Sequence, residues 1–218
     1  EGTLKEGNAH NKWIFYNEKG NKTQEGLFSN GVKNGKWLAY FEDGKLTEGE
    51  YKNGKKDGPF ETYHENGQLE GKGNYKNGEK NGLWEEYYDN GQLKFRQTWK
   101  DGVSMGWGMD ETLEMKINGF FEGYSKSGEL RLRTNYKDGK LHGLYLHSFD
   151  DGSVKGNYKD GKREGYWENY WDHGLVFYKG YYKDGKDDGL WEFHDVNGHL
   201  IEKGNIKKIV SATGKIIP

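Results

Sequence analysis

The residues with most claim to chemistry are seven histidines set among 35 carboxylates. His142 and His147 stand five apart, and so do His194 and His199, which lie near Glu192 and Asp195. Imidazoles beside carboxylates can hold a metal, but the helical zinc spacing is His-Glu-x-x-His, and neither pair has it. Adjacent carboxylates such as Glu85 and Glu86 could form an acid–base pair. On a strand, however, they point to opposite faces. The chain has no Cys, which removes the thiol nucleophile, the zinc–thiolate site and the disulfide framework. It has no Gly-x-Ser-x-Gly elbow, phosphate loop or dinucleotide fingerprint either. Its glycines recur along the chain and do not cluster once as a phosphate cradle would. The expectation is a non-enzymatic protein with no cofactor and no metal.

Charge and hydropathy narrow the partners. The formal net charge of −2 argues against nucleic-acid binding by bulk electrostatics. No run of about 18 apolar residues is present to make a membrane-spanning helix. Lys33, Lys36, Lys52, Lys55, Lys56, Lys76 and Lys80 recur near one turn edge, with Asp57, Asp101 and Asp138 interleaved at the same edge. That mixture reads as a solvated sheet border, which also discourages edge-to-edge pairing. The sequence begins at Glu1 and not Met, so the expectation for location leans to export or the cell envelope over the cytoplasm.

The elements that would position any site come from an internal repeat. Trp13, Trp37, Phe60, Trp84, Phe121, Tyr145, Trp167 and Trp191 each precede a Gly by seven residues, from Gly20 to Gly198. Seven of the eight also follow a Gly by two; Asn11 is the exception. Nine residues past each origin comes Leu or Val, except at Lys22. An aromatic then closes each unit, from Phe28 to Tyr182, with Ile206 in the last. With 8 Trp, 16 Tyr and 10 Phe, a few rings per unit can replace an aliphatic core.

Each unit reads as a hairpin. Leu83–Tyr88 alternates as a strand, Asp89-Asn90-Gly91-Gln92 carries the Asn-Gly signal of a type I′ turn, and Leu93–Trp99 returns. In the preceding unit Gly71 and Gly73 lie between Leu69 and Tyr75, leaving room for a neighbour's ring. The fold class is all-β: an elongated, twisted, single-layer antiparallel meander of about eight hairpins. The expected organisation is one repeat domain over 1–218, with units near 11–34, 35–57, 58–81, 82–102, 119–142, 143–164, 165–188 and 189–209. Residues 103–118 form an inserted loop, in which 110–115 could make one helical turn. A last strand is expected at 207–210.

The segment from Tyr75 to Leu93, with Gly78, Gly82, Trp84, Tyr87 and Gly91 in place, closely resembles the MORN repeat in its bacterial variant. The chain is similar in this to the antitoxins of the YwqK family. That resemblance implies a protein that binds and neutralises a partner toxin. MORN repeats elsewhere imply protein and membrane-lipid contacts.

Positions that vary between copies are free for recognition. Four residues past the origin stand Phe41, His64, Tyr88, Phe149 and Trp171, a discontinuous aromatic strip of the kind that anchors interfaces. Met105, Trp107 and Met109 in the insertion add adaptable contacts. These eight residues are the candidate binding site. The expected partner is a protein, either a toxin or a host or cell-surface protein. The alternative is an exported or envelope module that meets host protein, glycan or lipid.

Overall fold

The computed structural model describes residues 1–41, 44–100, 103–104 and 119–205. Among them are nineteen strands and no helix. Met105, Trp107 and Met109 lie outside the described residues, as do the expected turn at 110–115 and strand at 207–210. The chain divides into two compact units, Glu1–Trp107 with Tyr124–Gly128, and Gly108–Gly123 with Glu129–Pro218.

In the first unit the strands are β1 (Thr3–Lys5), β2 (Asn8–Tyr16), β3 (Lys22–Ser29), β4 (Val32–Tyr40), β5 (Lys45–Lys52), β6 (Lys55–Tyr63), β7 (Leu69–Lys76), β8 (Glu79–Tyr87), β9 (Leu93–Lys100) and β10 (Val103–Ser104). Each pairs antiparallel with the next in chain order. In the second unit they are β11 (Gly119–Tyr124), β12 (Leu130–Lys137), β13 (Lys140–Leu141), β14 (Gly143–Phe149), β15 (Gly152–Lys159), β16 (Lys162–Trp171), β17 (Val176–Lys183), β18 (Lys186–His194) and β19 (Leu200–Gly204). From β12 onward these too form an antiparallel meander, with β12 pairing both β13 and β14. Each unit is therefore the hairpin meander that the repeat predicts.

What holds a unit together is a ring laid over a glycine. Trp37 stands opposite Gly26 on one side and Gly49 on the other. A Cβ at Gly26 would meet the Trp37 ring at 2.2 Å; the same holds for Gly73 under Trp84 at 2.3 Å and Gly156 under Trp167 at 2.2 Å. Such distances exclude any side chain, so glycine here is a packing requirement. Gly71, expected to serve the same end, faces Thr62 and Glu86 and no ring. Six of the eight origin rings are buried, with Trp84 at 4% exposure and Trp167 and Trp191 at 1%; Trp13 and Tyr145 are half-buried. The closing rings meet them edge-on: Tyr75–Trp84 at 5.2 Å, Tyr158–Trp167 at 5.1 Å, Tyr182–Trp191 at 5.0 Å. Edge-to-face pairs add favourable quadrupole contact to burial.

Register shifts fall beside these seats, between Gly26 and Phe28 and between Lys72 and Asn74. The indole N–H finds a backbone carbonyl there: Trp37 Nε1 donates to Leu27 O at 2.9 Å, Trp84 Nε1 to Asn74 O at 2.9 Å, and Trp167 Nε1 to Asn157 O at 3.1 Å.

The turns correct one expectation. Asn90-Gly91 is not a type I′ turn, because only Gly91 has positive φ, at 81°. Its loop closes as Tyr88 N to Gln92 O, with Asn90 Oδ1 accepting from Gln92 N. The loop is thus longer than the two-residue I′ hairpin. Both-positive turns lie at the other end of the unit, at Asn53-Gly54, Asn77-Gly78 and Asp160-Gly161.

Candidate interaction site

By strand alternation the two faces of each meander differ. One carries the rings. The other carries interlocked charges: Lys12 on Glu25 at 2.8 Å, with the Tyr40 hydroxyl donating to the same carboxylate, and Lys155 on Glu168 at 2.8 Å. The Lys12 hydrogen bond first, then that from Tyr40, hold the Glu25 carboxyl down to about 2. Burial above all, and then Glu25, push the Tyr40 hydroxyl up to about 12.

The aromatic strip is divided by the structure. His64 Nε2 lies 3.0 Å from Tyr87 O, and Tyr88 Oη donates to Tyr124 O at 2.9 Å. Both thus spend their polar atoms on the backbone of the following repeat. Two side chains two positions beyond do likewise, Asn66 to Asp89 O at 2.7 Å and His173 at 2.7 Å from Val196 O. At the same position of the strip, Asp195 caps its own loop, accepting from Asn197 N and His199 N. Phe41 is half-buried after β4.

Phe149 and Trp171 do come together. Gly152, at the start of β15, pairs with both of them. Its φ is 153°, and a Cβ there would sit 2.1 Å from Tyr170 O, so only glycine allows this approach. Phe149 is 44% exposed and its ring lies 4.1 Å from that of His147. The Trp171 ring lies 4.2 Å from that of Phe177 at a tilt of 40°, and its buried Nε1 has no hydrogen-bond partner among the described residues. The two residues line a groove of about 300 Å³ with Glu129, Arg131, Asp150 and Asp172 among its walls. Arg131 is shared between Glu129 at 3.5 Å and Asp150 at 3.3 Å. The rim therefore keeps more negative than positive charge.

Among the described residues no group of three or more His, Asp and Glu is placed to hold a metal. Two of the histidines pair locally with a single carboxylate. His142 Nδ1 lies 3.2 Å from Asp160, and His199 Nδ1 lies 3.3 Å from Asp195.

The repeat itself is the feature that links this surface to known proteins. Residues 33–53, 56–77 and 80–101 match the MORN repeat variant. No curated protein matches the chain. MORN repeats are in general non-enzymatic modules for protein or membrane contact. The three matched MORN segments all lie in the first unit, whereas the Phe149–Trp171 groove lies in the second. The carboxylate rim is not legible as a site in the sequence: Asp150 and Asp172 stand five residues past their origin rings, but Glu129 stands eight past its own. Only the turn geometry gathers them.

Proposed function

We propose that this chain is a non-enzymatic recognition scaffold that holds a partner protein at the groove of Phe149 and Trp171. The observation that carries the reading is the Phe149 ring, 44% exposed, beside Trp171 in a groove with a carboxylate-rich rim. An exposed aromatic inside a polar rim is the anatomy of an interface anchor. The rim favours a partner with a basic surface. The more specific role is that of an antitoxin or immunity-type protein that neutralises a toxin, in keeping with the likeness to bacterial MORN-type antitoxins. On this reading the eight repeats act as one domain; Met105, Trp107 and Met109 of the insertion, and Phe41, His64 and Tyr88, are separate candidate contacts.

The test is co-purification of the tagged chain from its native cells, followed by titration of the captured partner. Phe149→Ala with Trp171→Ala is expected to weaken binding by about tenfold or more, the loss typical of anchor residues. Trp107→Ala reports separately on the insertion. Unchanged affinity in a folded Phe149/Trp171 variant removes this groove from the interface. Retention on glycan or lipid vesicles in place of protein supports the envelope-module reading.

A further inference from the structure

The ring face of the first unit carries a feature that the packing does not need. Four residues before three successive origin rings stand Lys33, Lys56 and Lys80. Each side chain lies flat over two rings. Lys33 Nζ is 3.9 Å from the Trp37 centroid and 5.2 Å from Tyr51. Lys56 Nζ is 4.1 Å from Phe60 and 4.7 Å from Tyr75. Lys80 Nζ is 4.2 Å from Trp84 and 4.6 Å from Trp99.

Lys80 has a carboxylate at hand, Glu86 at 3.9 Å. Lys33 has the Gln24 amide oxygen at 3.4 Å, and among the described residues neither Lys33 nor Lys56 has an ion-pair partner. Burial lowers the pKa of both, and the next lysine in line adds to the effect: Lys56 on Lys33, Lys80 on Lys56. Two half-buried, mutually repelling cations are thus held on an aromatic floor without an ion-pair partner among the described residues.

We propose that this face binds an extended acidic segment of a partner polypeptide, with two carboxylates three residues apart seated on Lys33 and Lys56. Spacing supplies the argument. Equivalent positions in successive hairpins are two strands apart, about 9.6 Å. A polyproline II chain repeats its side-chain direction every three residues, which at about 3.1 Å each spans about 9.3 Å. Such a chain laid across the strands sets residues i and i+3 on the two ammonium groups, and its backbone crosses Tyr51. Aromatic floors are the usual seat for that conformation.

The neighbouring groove, about 410 Å³, is lined by Thr47 and Thr62 as well as Lys56. Glu70 and Glu86 also line it, Glu86 beside Lys80. They confine the acidic ligand to Lys33 and Lys56. A lipid surface fits less well, because these lysines lie down on the rings and do not project toward a plane. This site is in the other unit from Phe149, so either can fail alone.

The experiment titrates the whole protein with labelled proline-rich peptides that carry Glu at i and i+3, Glu at i and i+2, or Gln at i and i+3. Anionic phosphatidylserine vesicles and inorganic phosphate run as parallel arms. The i,i+3 acid peptide is expected to bind about tenfold or more tightly than the other two, with an affinity that falls as salt rises. Lys33→Gln with Lys56→Gln is expected to remove that preference, while Lys52→Gln with Lys76→Gln, on exposed turns, keeps it. Near-UV circular dichroism checks that each variant is folded. Equal binding of the two spacings, no peptide binding by the folded protein, an unchanged preference in the Lys33/Lys56 variant, or binding of vesicles or phosphate alone overturns the proposal.

Discussion

The position four residues before the anchoring ring carries Lys33, Lys56 and Lys80 in the first unit, and Leu141, Arg163 and Asp187 in the second. The backbone is the same at both; the chemistry is not. Arg163 covers Trp167 at 4.6 Å and donates to the Tyr182 hydroxyl at 2.9 Å, so its charge and its fork are both used. Lys56 has rings beneath it and, among the described residues, no acceptor. The ring-on-glycine stack sets the fold in both units and leaves this position free. What each unit places there decides whether the face is closed, as at Arg163, or waiting, as at Lys33 and Lys56. MORN-type repetition thus supplies a scaffold whose recognition is written in the residues it does not repeat.

The largest effect separates what the units share from what they do not. Gly73→Ala and Gly156→Ala each drive a methyl to within 2.3 Å of an indole, one in each unit. Each is expected to cost about 2–3 kcal/mol or more, because a packed ring flanked by strands has nowhere to move. Gly67→Ala is the control: its φ is 81° but no atom lies within 4 Å of the added methyl. Its cost should be only about 1 kcal/mol, from backbone strain alone. Urea titrations of the three variants measure this. Equal losses at Gly67 and Gly73 would mean that turn conformation, not ring seating, governs the stack.

How much of this was legible in the sequence follows from what repeats. Trp37, Trp84 and Trp167, with glycines at fixed offsets, gave the hairpins and the ring packing, because a requirement met in every copy leaves a period. The turn at Asn90-Gly91 misled because Asn-Gly signals type I′ only when the loop has two residues. Here Tyr88 and Gln92 close a longer one, and the I′ turns moved to Asn77-Gly78 and its equivalents. The aromatic strip reads as one surface because residue type alone does not show what each polar tip meets. Tyr88 and His64 reach the next repeat's carbonyls, a contact set by the stacking of loops and invisible in one unit. The lysine pair escaped because Lys33 and Lys56 look like any other basic residue at that edge. Only burial distinguishes them from Lys52 or Lys76.

A smaller effect compares the charge ladders on the other face. Glu25 in the first unit is 9% exposed, and its carboxyl is held at about 2 against an ordinary 4.5, chiefly by Lys12 and then by Tyr40. A carboxyl whose folded pKa is depressed adds stability above its unfolded pKa and loses it as pH falls through the folded one. The contribution is therefore full above about pH 4.5 and lost toward pH 2. Solvent around the Lys12 ammonium reduces it to about 1–2 kcal/mol. In Glu25→Gln the acid limb of stability over this window should flatten. In the second unit Glu192 is also depressed, first by Lys203 and then by Lys179, but its side chain is 25% exposed. Glu192→Gln should change the same limb less. Thermal melts between pH 2 and pH 5 give both, and equal flattening by the two variants would remove burial as the distinction.

The smallest effect returns to the position that differs between units, and it is one of sign. Arg163→Met gives up the bond to Tyr182 and leaves that half-buried hydroxyl to find water. A loss of about 1 kcal/mol is expected. Lys56→Met gives up a cation held over rings, worth about 0.5–1 kcal/mol, and with it the desolvation of an unpaired charge and its repulsion with Lys33 and Lys80. The thioether keeps the contact with Phe60 and Tyr75. Lys56→Met should therefore be neutral or slightly stabilising, and more so at low salt, where the repulsion it relieves is least screened. A loss at Lys56 as large as that at Arg163 would mean that the lysine serves the fold. A gain means that the first unit keeps a charge its fold does better without, as a face kept for an anionic ligand would.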